Sequence, residues 1–104
     1  MTVAATVVFV RPPGAARDRD QAYQVLIDAA DRGTVRAGDE LRLVVAPGGH
    51  RARVRLGRAG SRELKFEVGA GREVRLRVEP NGGPLAALWR LVAKDRYLRL
   101  TREG

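Results

Sequence analysis

The sequence predicts an all-β fold: one small antiparallel β-sandwich of about seven to eight short strands, with one short C-terminal helix. Three observations carry this. Apolar and polar residues alternate with period two along most of the chain, so each run has one apolar and one charged face. Clusters of Gly, Pro and Asp break that alternation at short, nearly even intervals. The 104 residues are 44% hydrophobic but only 5% aromatic, enough for a single core built mainly from Val, Leu and Ala. Residues 1–104 therefore read as one domain.

The first strand runs over Thr2–Arg11. Val3, Ala5, Val7 and Phe9 form one face and Ala4, Thr6, Val8 and Val10 the other. Both faces are apolar, which predicts a strand that is central or covered on both sides. Pro12-Pro13-Gly14 ends it, because proline cannot donate to a ladder. Arg17-Asp18-Arg19-Asp20 reads as a solvated loop. Tyr23, Val25 and Ile27 mark a second strand, and Asp28–Gly33 a turn. Val35 sits in a short strand ended by Gly38-Asp39, and Leu41, Leu43 and Val45 share one face of the next.

Pro47–Glu79 is the most regular stretch. His50, Ala52, Val54 and Leu56 alternate with Arg51, Arg53 and Arg55; Leu64, Phe66 and Val68 with Lys65 and Glu67; Val74, Leu76 and Val78 with Arg75 and Arg77. With Gly57–Gly60 and Gly69-Ala70-Gly71 between the runs, this predicts a β-meander joined by hairpin turns. After Pro80-Asn81-Gly82-Gly83-Pro84 the period changes. Leu85, Leu88, Trp89 and Val92 follow at i, i+3, i+4 and i+7, which is helical spacing, and Pro84 suits the first helical turn. Tyr97–Arg102 returns to alternation as a last strand.

Between Tyr23 and Leu56 the residues Tyr23-x-Val25-x-Ile27-Asp28, Gly33-x-Val35-x-x-Gly38-Asp39 and Ala46-Pro47-Gly48-Gly49-His50-x-Ala52-x-Val54 form a recognisable series. It resembles the PEGA-like family of small bacterial β-sandwich domains, in which a Pro-Gly-x-His turn leads into an alternating strand. The resemblance implies a sandwich architecture and an accessory or interaction module, with no catalytic residues to carry over. Where that pattern has a tight Asp-Gly turn, this chain has Ala29–Gly33, which predicts a longer connection. The Trp89 helix has no counterpart in the basic repeat.

Composition limits the function classes. There is no cysteine, which removes disulfides, thiolate chemistry and cysteine metal sites and fits a reducing compartment. Residues 1–10 are apolar but short, lack a basic region before them and read as a strand, not a signal peptide. No apolar run approaches the roughly 20 residues of a membrane span. The expectation is a cytoplasmic protein. Twenty basic against twelve acidic residues give a formal charge of +8, which favours anionic partners. Lys65 and Lys94 are the only lysines, and an Arg-, Ala- and Gly-rich composition is also what a GC-rich genome yields without selection for binding.

Each candidate site has a plainer structural reading. His50, the single histidine, lacks companions for a metal site and sits at a strand start where its ring can bond locally. Ser61 lacks a G-x-S-x-G elbow and reads as a turn residue. Asp18, Asp20, Asp28 and Asp31 match no EF-hand spacing. Gly48-Gly49 and Gly69-x-Gly71 lead into strands and not into helices, unlike a phosphate loop. No catalytic residue, metal or cofactor is assigned, and the chain is read as a non-enzyme.

Two surfaces remain. Arg51, Arg53 and Arg55, with Arg75 and Arg77 on a neighbouring run, would form a basic face if their outward sides coincide; interleaved glutamates make it a charge-paired face before a nucleic-acid surface. The helix carrying Leu85, Leu88, Trp89 and Arg90, with Arg96 beyond it, either caps the sandwich or docks a partner. The sequence thus predicts a non-catalytic module that binds a protein partner, or a second copy of itself, through a sheet edge or the Trp89 helix. The alternative is a cationic module on an anionic membrane or polymer, and the third reading is nucleic-acid binding.

Overall fold

A computed structural model describes residues 3–13, 20–80 and 98–103. Among them are nine strands: β1 (Ala5–Val10), β2 (Tyr23–Ile27), β3 (Ala30–Val35), β4 (Glu40–Val45), β5 (Gly48–Leu56), β6 (Ala59–Gly60), β7 (Leu64–Val68), β8 (Glu73–Pro80) and β9 (Leu98–Glu103). They form two sheets packed as a sandwich. The first has the order β4-β1-β8-β9; the second has the order β3-β2-β5-β6, with β7 also pairing β5. One apolar cluster lies between them, including Phe9, Val25, Val54, Phe66, Leu76 and Leu100. The count exceeds seven to eight because of β6, a two-residue strand too short for a periodic signal. The C-terminal helix and the Arg17–Asp20 charge run fall wholly or largely outside the described residues.

β1 is central, as its two apolar faces require: it is antiparallel to β4 and parallel to β8. The meander is corrected. β5 and β7 pair as expected, but β8 belongs to the other sheet, beside β1 and β9. Gly69–Gly71 is a crossover and not a hairpin. The Gly71 amide donates to the Ala4 carbonyl at 3.1 Å and the Thr6 amide to the Arg72 carbonyl at 3.0 Å, which hands the chain to β1. Gly71 has φ of 71°, which glycine adopts without the cost a Cβ would bring.

The connection after β2 is also shorter than expected. β2 and β3 are joined by Asp28 and Ala29 alone, with φ of 51° and 68°. Two central residues at positive φ are the signature of a two-residue type I′ hairpin turn. The strand expected only around Val35 therefore begins at Ala30. Gly33 lies inside it, opposite Val25, where a bulge leaves Arg32 as the extra residue.

β5 pairs β2 along one side and is shared between two partners along the other. Its last residues pair β6, and Gly48–Ala52 pair β7. Ser61 joins the two ladders: its amide donates to the Val54 carbonyl at 2.9 Å, and its Oγ accepts the Val54 amide at 3.1 Å. Gly60 is required just before it, because a Cβ there would stand 2.5 Å from the Val54 carbonyl oxygen.

Arg11 is the buried cation of the fold, 3% exposed. It donates to the carbonyls of Gln21 (2.5 Å) and Val35 (3.0 Å), and its guanidinium lies 3.6 Å from the centre of the buried Tyr23 ring. Its backbone bonds Asp39 and Gly38. One residue thus ties the end of β1 to β2, to the end of β3 and to the turn before β4.

Candidate functional site

His50 stands at the start of β5 with a side chain only 12% exposed. Its Nδ1 lies 2.7 Å from Asp28 Oδ2 and its Nε2 lies 2.6 Å from the Ala46 carbonyl. A carboxylate and a carbonyl only accept, so the two bonds are made together only when the ring is protonated and both nitrogens donate. The Asp28 bond, followed by the Ala46 bond, raises the His50 pKa; burial and Arg32 oppose this. The same bond, followed by the Arg51 amide, lowers the Asp28 pKa. Asp28 Oδ1 accepts that amide at 2.9 Å, so the β2–β3 turn is pinned to β5 through both carboxylate oxygens. The ring also packs against Phe66, with centroids 5.7 Å apart.

Two open clefts flank this clasp. One, of 590 Å³, is lined mainly by apolar groups from Ala4, Ile27, Ala30, Val44, Val45 and Pro47, with Asp28, His50 and Arg32 at its polar corner. It lies where β3 faces β4. Both are edge strands, one from each sheet. Arg32 Nη2 crosses the gap and donates to the Val44 carbonyl at 3.0 Å. The Val44 side chain is 63% exposed, one of two large apolar side chains so exposed among the described residues. The other cleft, of 560 Å³, has a mixed charged lining of Arg51, Lys65 and Arg102 with Asp28 and Glu67.

The predicted basic face is divided. Arg51, Arg53 and Arg55 point outward from β5 in the second sheet, while Arg75 and Arg77 point outward from β8 in the first. Core residues of both sheets fill the space between, so these are opposite sides of the molecule.

The first sheet's outer face is charge-paired. Arg42 meets Glu73 at 2.5 Å and Arg75 meets Glu40 at 2.8 Å. Arg77 and Arg99 share Glu79, at 3.5 and 2.7 Å. The Arg42 and Arg75 pairs both cross β1, from residues level with Val8 on either side. Their stems flank Val8, which points away from the core and is fully buried.

Ser61 is a ladder element: 1% exposed, its hydroxyl donates to the Arg62 carbonyl at 2.9 Å while accepting from Val54. Asp31 accepts bonds from the Gly33 amide and Gln24, which hold its pKa down and fix the bulge. Among the described residues no group of three or more His, Asp or Glu could hold a metal ion, and no helix is long and apolar enough to cross a membrane. Leu85, Leu88, Trp89, Arg90 and Arg96 lie outside the described residues. Sequence reasoning missed Arg11 and the β3–β4 cleft. Arg11 was discoverable, since it continues the inward series Ala5, Val7, Phe9; the cleft depends on which strands become edges. No protein-family model, curated protein or solved structure matches this chain.

Proposed function

We propose that this chain is a non-catalytic interaction or accessory module that docks an extended segment of a protein partner along the β4 edge. The observation that carries this is the conjunction of an edge strand, the exposed Val44 and the apolar cleft beside it. A strand added to a sheet edge gains main-chain hydrogen bonds, and alternate side chains fill adjacent pockets. Here the occupant is a segment with one apolar residue for the cleft and one acidic residue for its polar corner, where Arg32 stands beside the His50–Asp28 pair. The bonds made by His50 and Ser61 support a non-catalytic reading, because each polar atom already serves the backbone or a turn. The resemblance of Tyr23–Leu56 to PEGA-like domains supports it too, and the lack of cysteine fits the cytoplasmic setting we propose for the chain. The Trp89 segment is a further docking candidate.

The test is selection from a random peptide library on the intact protein, followed by amide shift mapping with the best peptide. Apolar-plus-acidic peptides that perturb Glu40–Val45 and lose affinity in Val44→Asp are the expected result. Perturbations confined to another strand, or no enrichment, would overturn the reading.

A further inference from the structure

The two outer faces differ in how their arginines are satisfied. On the first sheet Arg42, Arg75, Arg77 and Arg99 each meet a glutamate. On the second, Arg51 reaches Glu63 only at 3.7 Å and Arg53 bonds the Ser61 carbonyl, while among the described residues the side chains of Arg55 and Lys65 have no hydrogen bond or ion pair. Arg51 and Lys65 are moreover directly opposite each other in the β5–β7 ladder. Like charges in that position destabilise a sheet, so this arrangement costs stability that the first sheet avoids.

We infer that the outer face of the second sheet, along β5, is a docking strip for an extended acidic peptide with Glu or Asp at alternate positions. Arg51, Arg53 and Arg55 follow one another at two-residue intervals, roughly 6.6–6.8 Å apart along a strand. Alternate side chains of an extended ligand repeat at the same distance, so carboxylates meet guanidiniums in register. Arginine suits this, because its planar fork binds carboxylates through two parallel bonds. The strip is narrow: Asp31 stands on β3, one strand beyond β2, and Glu63 and Glu67 lie on the β7 side. These acids repel a broad polyanion such as a nucleic-acid duplex while leaving a single extended chain its track. The described part of this face has no exposed aromatic residue for base stacking. The strip lies on a different surface from the β4 edge and stands independently of it.

Labelled peptides decide the matter: one with Glu alternating with Thr, one of the same composition with its glutamates contiguous, and single- and double-stranded DNA of equal charge. The alternating peptide should bind best, and weaken with added salt. Arg51→Gln/Arg55→Gln, which spares the Arg53 bond to Ser61, should weaken it about tenfold, whereas Arg77→Gln/Arg99→Gln should leave it unchanged. Thermal melts of both variants check that the fold persists. Equal binding of the two peptides, tighter binding of DNA, equal losses from both variant pairs, or no binding at all would each overturn the proposal.

Discussion

The His50 imidazole and the Asp28 carboxylate meet at 2.7 Å across 22 residues of sequence, the ring's other nitrogen on the Ala46 carbonyl. Their pKa values move in opposite directions, His50 up and Asp28 down. The His50 contribution is fully present below about 6.5, the unfolded value, and is lost as pH rises through the raised folded value. The Asp28 contribution is present above about 3.9 and is lost as pH falls through the lowered one. The clasp is therefore strongest between about pH 4 and 6.5. Melting temperature should decline above that window in the native chain, and His50→Gln should flatten that limb. A proton NMR titration giving His50 an ordinary pKa would contradict this.

Ala29 occupies a left-handed position, with φ of 68°, which costs an L-residue about 1–2 kcal/mol. Asp-Gly is a preferred pair for this turn. Ala29→Gly should therefore stabilise the protein by about 1 kcal/mol, read as a higher denaturant midpoint at constant m-value.

Gly60 has no room for a methyl group, since a Cβ would press on a backbone oxygen. Gly60→Ala should cost about 2–3 kcal/mol through displaced backbone. Ser61→Ala should cost about 1–3 kcal/mol, because the buried Val54 amide loses its acceptor. Urea unfolding measures both.

Two arginines of similar bond length should behave very differently. Arg11 is buried on two carbonyls and an aromatic face, and Arg11→Met should cost about 3 kcal/mol. Arg42 is 59% exposed in its pair with Glu73, so Arg42→Gln should cost less than about 1 kcal/mol. Comparable losses would mean that Arg42 is desolvated in solution.

How far the fold was legible follows from the same residues. Period-two alternation locates a strand and its buried face, so β1, β2, β4, β5, β7, β8 and β9 could be read directly. Alternation does not say which sheet a strand joins. β7 and β8 bury alternate residues identically, yet lie in different layers, and this broke the meander and divided the arginine face. The tight β2–β3 turn was hidden because Ala29 bears a conformation that alanine rarely takes. Asp28 and His50 were both singled out, but their partnership needs two distant turns brought together. Arg11 was passed over because a cation seldom continues a core face.

The parallel pairing of β1 with β8 has a consequence for the order of assembly. β1 ends at Val10 and its β8 neighbour begins only at Glu73, so the two are made on the order of seconds apart at cellular elongation rates. Until then the hairpins β2–β3 and β5–β7 can close locally, while β1, apolar on both faces, has only β4 to pair with. The centre of the first sheet thus forms late, with only the β9 edge joining after it among the described strands. Such non-local closure is slow relative to hairpin formation, which makes β1 the segment a nascent chain most needs to keep from other strands.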